Sequence, residues 1–96
     1  MKAVLIIHSA AIDVDVDELL KSVSIDAYTR FTDVVGRGRR SEPHLNTEVW
    51  PGVNSATLAV VDEDKAKAAM ERVRAMRQTL GAEGIKAFLW EIQDIT

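Results

Sequence analysis

The stretch KAVLIIHSAAIDVDVDELLKSV, residues 2–23, decides the fold because its hydrophobic period changes part-way along. Residues 2–8 are branched apolar side chains almost without interruption, which is typical of a β-strand buried on both faces. Beyond them the apolar positions recur at helical spacing and form one stripe, made of Val16, Leu19, Leu20 and Val23. This part of the chain is therefore predicted to be a strand followed by a helix.

Carboxylates crowd the predicted start of this helix. Asp15 is followed three residues later by Glu18, a spacing that predicts a capping box, and the negative charges suit the positive end of the helix dipole. The run DVDVDE lacks the glycine and the twelfth-position glutamate of a calcium-binding loop. We interpret it as a solvated helix start.

The rest of the chain supplies three more strands and a second helix. Residues 26–35 are rich in aromatic and β-branched side chains and are predicted as the second strand. A third strand is predicted to begin near residue 54, and residues 84–92 form the fourth. Between them Asp62 can cap a helix whose inward stripe is formed by Ala66, Ala69, Met70, Val73, Met76 and Leu80.

The order strand, helix, strand, strand, helix, strand predicts an α+β protein with the ferredoxin-like βαββαβ arrangement. Right-handed crossovers would place both helices on one face of a four-stranded antiparallel sheet. Both faces of the first strand are apolar, with Ala3, Leu5 and Ile7 on one side and Val4 and Ile6 on the other. The helices can cover only one face, so we expect other copies of the chain to cover the second.

The composition of the chain excludes several classes of protein. The 96 residues are 47% apolar and 28% charged, which fits a single packed domain over residues 1–96. There is no cysteine, which excludes disulfides and thiolate metal sites, and a net charge of -3 argues against a general nucleic-acid binder. The first apolar run is too short for a membrane span and lacks a signal-peptide cleavage site, so we expect no direct membrane insertion and a cytoplasmic location.

The segment VVGRGRRSEPHLNTEVWPG, residues 34–52, contains the strongest candidate for a ligand site. Arg37, Arg39 and Arg40 could gather anionic oxygens through their forked guanidinium groups. The neighbouring Gly36 and Gly38 would let backbone amides approach the same anion. The alternative is that the arginines pair with carboxylates of a neighbouring subunit or stay solvated.

Other residues of this loop suggest a metal site or a partner contact. His44 with Glu42 and Glu48 could hold a divalent metal between subunits, with a solvent-exposed histidine as the alternative. Trp50 could anchor the loop to the sheet, or offer a flat apolar contact to a partner or an adenine base. His8, at the end of the first strand, is interpreted as a hydrogen-bonded edge residue, with a ligand role as the alternative.

An enzyme is not expected. His8, Ser9 and Asp13 are close in sequence, but neighbouring residues of a strand point to opposite faces. Adjacency therefore does not supply the geometry that a nucleophile and its base require.

With this order of elements, the chain resembles the PII-like signalling proteins over most of its length. AYTRFTDVVGRGRR, residues 27–40, is similar to the family's second strand and the glycine-flanked turn that follows it. GVNSATLAVVDEDKAKAAMERVRAM, residues 52–76, is similar to its third strand and second helix. GIKAFLWEIQDI, residues 84–95, resembles its fourth strand.

The resemblance implies a homotrimer whose sheets face inward and whose small ligands, most often adenine nucleotides, bind in clefts between subunits. Gly36, Arg37, Gly38 and Arg39 match the turn where family members contact nucleotide, and residues 40–53 match the loop that reports to a transporter, enzyme or regulator. Three features depart from the family pattern. Arg37 holds a turn position that is usually filled by an aromatic or small apolar residue. LGAEGIK, residues 80–86, is shorter and less basic than the usual phosphate-contacting segment, and Tyr28 lies in a strand and does not match the modified loop tyrosine.

The sequence thus favours a cytoplasmic, homotrimeric PII-like regulator that binds an adenine nucleotide or another anion and acts through a long loop at about residues 37–53. A CutA-like metal-binding trimer in cation homeostasis is the leading alternative. A structural trimer without a ligand is a third.

Overall fold

A computed structural model describes residues 1–36, 53–80 and 84–96. Within them the chain forms strand β1 (Lys2–Ser9), a 3₁₀ turn (Ala10–Ile12), helix α1 (Asp13–Ser22), strand β2 (Thr29–Val34), strand β3 (Asn54–Val61), helix α2 (Glu63–Leu80) and strand β4 (Ile85–Glu91). This order confirms the ferredoxin-like βαββαβ arrangement.

The four strands form one antiparallel sheet in the order β2-β3-β1-β4. Strand β1 lies in the interior of the sheet, and Leu5 at its middle pairs with Leu58 of β3 on one side and Phe88 of β4 on the other. The residues of β1 alternate between the face covered by the helices and a second apolar face, which explains the uninterrupted apolar run of residues 3–7.

The core lies between the sheet and the two helices. Alternate residues of the central strands form one side of the core, and the predicted apolar stripes of α1 and α2 form the other. The buried cluster consists of Val4, Ile6, Val16, Leu19, Leu20, Ile25, Ala59, Ala66, Ala69, Val73 and Ile85. The three alanines allow the helices to pack closely on the sheet, and Met70 and Met76 fill space at its margin.

The predicted capping box at the start of α1 is wrong. Helix α1 already begins at Asp13, and Ile12 at the N-cap position makes no side-chain hydrogen bond. The reason is that the chain leaves β1 through the 3₁₀ turn, whose first turn is capped by the Ser9 hydroxyl, and this turn continues directly into α1. Asp13 and Asp15 still lie in the first turn, where their charges favour the helix dipole.

Strand β2 begins at Thr29, three residues later than the sequence predicts. The amide of Ile25 donates to the carbonyl of Leu20 at 2.9 Å, and Ser24 has a positive φ of 63°. This left-handed residue ends α1 and turns Ile25 back into the core, where it is 2% exposed. The chain therefore reaches the sheet edge only at Thr29.

The predicted stripe of α2 is buried at three of its six positions, and Met70 and Met76 are half-buried. Ala66, Ala69 and Val73 are buried, whereas Leu80 is 43% exposed. Leu80 is the last residue of the helix, and residues 81–83 after it lie outside the described part of the chain.

Among the described residues, nothing covers the face of the sheet opposite the helices, and this face is apolar. Its large side chains include Phe31, Val60, Phe88 and Trp90, which are 36% to 51% exposed. We call the surface formed by these four residues with Leu5, Ile7 and Leu58 the open face. The two-sided apolar pattern of the first and last strands, as predicted from sequence, thus gives one covered and one open surface.

No helix in the described part of the chain is long and apolar enough to cross a membrane.

Leu20 tests the packing of the core. Replacing Leu20, which is fully buried, with alanine should lower the free energy of unfolding by about 2 to 5 kcal/mol, because it removes apolar contacts and leaves a cavity. The matched control is Val14→Ala on the same helix, where the side chain is 66% exposed and the loss should stay within about 0.5 kcal/mol. Urea unfolding at one protein concentration measures both, and equal losses would contradict this core.

Candidate functional site

Four strand ends lie at one end of the sheet. Because β1 and β2 both run antiparallel to β3, they finish where β3 begins, and β4 begins there as well. The backbone of Ser9 and Ala10 joins them: the Ser9 amide donates to the carbonyl of Gly84 at 3.0 Å, and the Ala10 amide donates to the carbonyl of Val53 at 2.8 Å. We call this region, with Val34–Gly36 at the end of β2, the loop end of the sheet.

Of the residues predicted to bind a ligand, the structure describes Gly36. It lies at the loop end, two residues after Val34, which pairs with Asn54. A side-chain atom built on Gly36 would meet open space, so its backbone is accessible to a ligand. The other predicted site and loop residues lie outside the described residues, namely Arg37, Gly38, Arg39, Arg40, Glu42, His44, Glu48 and Trp50.

The end of β2 is irregular just before Gly36. The pairing with β3 shifts register between Phe31 and Val34, and Asp33 within this bulge has a positive φ of 57°. Aspartate tolerates this conformation better than most residues, and a bulge adds local twist to a strand. The bulge therefore sets the direction of the backbone that leads from β2 to Gly36.

Two cations near this end were not singled out from the sequence. Lys86, the second residue of β4, is exposed, and its Nζ lies 5.9 Å from the centroid of the Phe88 ring. The Arg77 side chain at the end of α2 donates through Nη1 to the carbonyl of Ile85 and so ties the helix to the start of β4. Lys86 supplies positive charge beside the loop end. It belongs to residues 80–86, the segment that is shorter and less basic than the family's usual phosphate-contacting segment.

A buried polar network lies beneath the loop end, on the helix side of the sheet. His8 is 1% exposed, its Nε2 lies 2.9 Å from the hydroxyl oxygen of Thr57, and its Nδ1 lies 3.1 Å from the carbonyl oxygen of Ser9. His8 is hydrogen-bonded, as predicted, but it is not an edge residue, because β1 is an interior strand and His8 has neighbours in both β3 and β4.

The network continues outward through an arginine to the surface. Arg30 of β2 donates through Nε to the Thr57 hydroxyl at 3.0 Å, and its Nη2 lies 2.8 Å from a carboxylate oxygen of Asp17. The latter contact is an ion pair without well-aligned hydrogen-bond geometry. The Tyr28 hydroxyl donates to the same Asp17 oxygen at 2.8 Å, and the guanidinium lies 5.4 Å from the Tyr28 ring centroid.

The environment of the network sets its charges. Burial lowers the pKa of His8 from its usual value and outweighs the hydrogen bond to Ser9, and the nearby Arg30 lowers it further. Burial alone would raise the pKa of Asp17, but the contacts with Tyr28 and Arg30 together hold it below its usual value. At neutral pH, His8 is therefore uncharged beside an arginine–aspartate ion pair.

The sequence neighbours His8, Ser9 and Asp13 make separate contacts. The Ser9 hydroxyl accepts from the Ala11 amide at 3.1 Å and caps the 3₁₀ turn, while an Asp13 carboxylate oxygen lies 3.5 Å from His8 Nδ1. Among the described residues, no group of three or more histidine, aspartate or glutamate side chains is arranged to hold a metal ion.

Comparison with solved structures gives the same fold. A protein named CPII from Thiomonas intermedia K12, bound to ADP, AMP and acetate, matches with a TM-score of 0.76 and 21% identity, covering 99% of this chain and 88% of that one. The same protein bound to ADP, AMP and bicarbonate matches with a TM-score of 0.73 and 20% identity over 99% and 92% of the two chains.

A PII-like signalling protein from Thermus thermophilus matches with a TM-score of 0.69 and 20% identity over 95% of this chain and 85% of that one. Identities this low show a shared fold. No curated protein gives a significant sequence match.

The comparison with family models is more specific. The model described as Nitrogen regulatory protein P-II matches residues 1–96. This match spans the strands, the helices and the loop end described above. The chain therefore belongs to the nitrogen regulatory protein P-II family.

Proposed function

We propose that this protein is a non-catalytic PII-like regulator that binds a small anionic ligand, foremost an adenine nucleotide, at the loop end of the sheet. The observation that carries the proposal is that the backbone of Ser9 and Ala10 holds both Gly84 and Val53, while the end of β2 pairs with Asn54, the residue after Val53. A ligand bound there contacts both ends of the segment 37–52 and the start of β4 at once.

The choice of an adenine nucleotide rests on the family and on its solved members. CPII has been solved with ADP, AMP and bicarbonate, and with ADP and bicarbonate. The present chain shares the family and the fold, so the same ligand classes are the first to test. Bicarbonate is the second candidate, since it is also an anion.

The residues offered to a ligand suit phosphate oxygens. The backbone of Gly36 is open to approach, and the arginines that follow it, Arg37, Arg39 and Arg40, carry donors in the forked geometry that matches phosphate. Lys86 would add a positive charge from β4. Phosphate binding is thus assigned to the turn after β2, supported by β4.

Regulation would follow from a ligand-dependent change in the segment between β2 and β3. A ligand that contacts both of its ends binds one arrangement of the segment better than others and shifts the population toward it. Glu42, His44, Glu48 and Trp50 belong to this segment and are the residues assigned to contact a partner, either a membrane transporter or a regulatory protein. The expected setting is the cytoplasm.

We also propose a homotrimer in which the open faces of three chains meet. Phe31, Val60, Phe88 and Trp90 form an apolar surface on a chain of only 96 residues, and such a surface is costly to leave in water. A cyclic trimer buries it in closed form and leaves the loop ends at the clefts between subunits.

The nucleotide proposal predicts ADP binding that depends on the arginines of the turn. Wild-type protein should give saturable heat with ADP in isothermal titration, and Arg37→Ala combined with Arg39→Ala should weaken the affinity by about tenfold or more, because charge-assisted hydrogen bonds to phosphate are lost. The matched control is Lys67→Ala, where an exposed cation near the start of α2 pairs with Glu63, at the end of the helix remote from the start of β4.

Flat heats with ADP, AMP and bicarbonate in the wild type would refute this ligand assignment. An affinity equal to wild type in the double variant would refute the role of the turn. A titration with Zn²⁺, repeated with His44→Ala, distinguishes the metal-binding alternative.

The trimer proposal predicts a molar mass about three times the 10.6 kDa of one chain by light scattering at low micromolar concentration. Val60→Glu should convert the protein to a smaller species, because it places a charge in the buried centre of the assembly. The same change on the opposite surface, Val14→Glu on α1, should leave the mass unchanged. A monomeric wild type would show that the open face stays in water.

A further inference from the structure

We propose that His8 is a positioning residue for the loop end: its neutral imidazole, held by Thr57, fixes the peptide unit between Ser9 and Ala10 on which the ligand site is built. This inference rests on the proposed function for its ligand. Its structural part, the control of one peptide unit by one buried side chain, stands on the geometry alone.

The peptide unit between Ser9 and Ala10 is bonded at both of its polar atoms. Its carbonyl oxygen, from Ser9, lies 3.1 Å from Nδ1 of His8, and its amide, from Ala10, donates to the carbonyl of Val53 at 2.8 Å. Val53 is the first described residue after the segment 37–52. The imidazole therefore orients the group that holds the return of that segment to the sheet.

The hydrogen bonds run in one direction and specify one tautomer of His8. A carbonyl oxygen can only accept, so Nδ1 of His8 carries the proton that is donated to Ser9. Nε2 is then the acceptor for the Thr57 hydroxyl proton, and the Thr57 oxygen in turn accepts from Arg30 Nε. In this chain of hydrogen bonds from Arg30 through Thr57 and His8 to Ser9, every donor has an acceptor only while His8 is neutral.

Within the described residues, the charged groups that face His8 come from two elements. Helix α1 contributes Asp13, at 3.5 Å from Nδ1, and Asp17, which is paired with Arg30. Strand β2 contributes Arg30. The neighbours of His8 in β3 and β4 are Ser55 and Ile85, which carry no charge, and the carbonyl of Ile85 is occupied by Arg77 of α2.

Protonation of His8 breaks the order of this network. A proton on Nε2 would meet the Thr57 oxygen, so the Thr57 hydroxyl would lose its acceptor, and a second positive charge would stand near Arg30. Among the described residues, Asp13 is the close carboxylate to which Nδ1 could then turn, away from Ser9. A ring turned in this way would leave the Ser9 carbonyl without its donor, and the bond from Ala10 to Val53 alone would hold the peptide unit.

The pH window follows from the direction of the shift. Burial lowers the pKa of folded His8 below its ordinary value of 6.5, so the unfolded chain takes up a proton first as pH falls. The stabilisation is complete above about pH 6.5 and is lost progressively as pH falls from there toward the lower pKa of the folded protein. The loop end should therefore be well formed at neutral pH and loosen in acid.

Nitrogen NMR of the imidazole rings tests the tautomer in the unmodified protein. The chain has two histidines, so the spectrum contains two rings, and His44→Gln assigns them. We expect the His8 ring to be protonated on Nδ1 at pH 7.5 and to titrate below pH 6.5. The amide signal of Ala10 should move with the same midpoint, because the two groups share one peptide unit.

A pair of variants at Thr57 separates positioning from mere burial. Thr57→Val keeps the shape but removes the hydroxyl, and it should speed hydrogen exchange of the Ala10 amide at pH 7 by about tenfold, the scale of one buried hydrogen bond. Thr57→Ser keeps the hydroxyl and should restore slow exchange. The affinity for ADP at pH 7.5 should weaken by about fivefold in Thr57→Val and recover in Thr57→Ser.

The outcomes are distinguishable. A His8 ring protonated on Nε2 at pH 7.5, or an Ala10 amide that exchanges equally fast in wild type and Thr57→Val, would overturn the positioning role. If the tautomer and the exchange rates are as expected but no variant, nor the wild type, binds ADP, then the positioning role is supported and the nucleotide assignment is the part that fails.

Discussion

In the described part of the chain, a four-stranded sheet with two apolar faces carries both helices on one of them, and the stability of the protein depends on what covers the other. Both helices pack on the same side, so Phe31, Val60, Phe88 and Trp90 are left toward water on a single chain. Burying them between copies is the reason for the proposed trimer, in which the loop end of each chain would lie beside a neighbour. The fold thus links the stability of the protein to the formation of its proposed ligand cleft.

Much of the fold was predictable because it depends on local periodicity. The change from continuous apolar residues to helical spacing near Val16, and its recurrence around Ala66, are enough to give the element order. What failed depends on contacts along the chain that a pattern does not show. The capping box at Asp15 gives way to a 3₁₀ turn capped by Ser9, and β2 starts late because Ser24 adopts a left-handed conformation.

The candidate site divides in the same way. Gly36 and the arginines after it stand out in the sequence by residue type, whereas the peptide unit of Ser9 and Ala10 carries no signal of its own, because only the sheet brings it to Val53 and Gly84. The contact between His8 and Thr57 joins residues 49 positions apart. Its presence could be suspected from a histidine in an apolar strand, but its partner could not be named without the strand register.

We expect the open face to be covered in the native protein, and the fluorescence of Trp90 measures this cover most directly. The chain has two tryptophans, so in a Trp50→Phe variant all indole fluorescence comes from Trp90, which is 45% exposed on a single chain. If the open face is covered, we expect blue-shifted emission and weak quenching by acrylamide at low micromolar concentration, as for an indole buried between subunits. Emission and quenching like those of a solvated indole under the same conditions would contradict it.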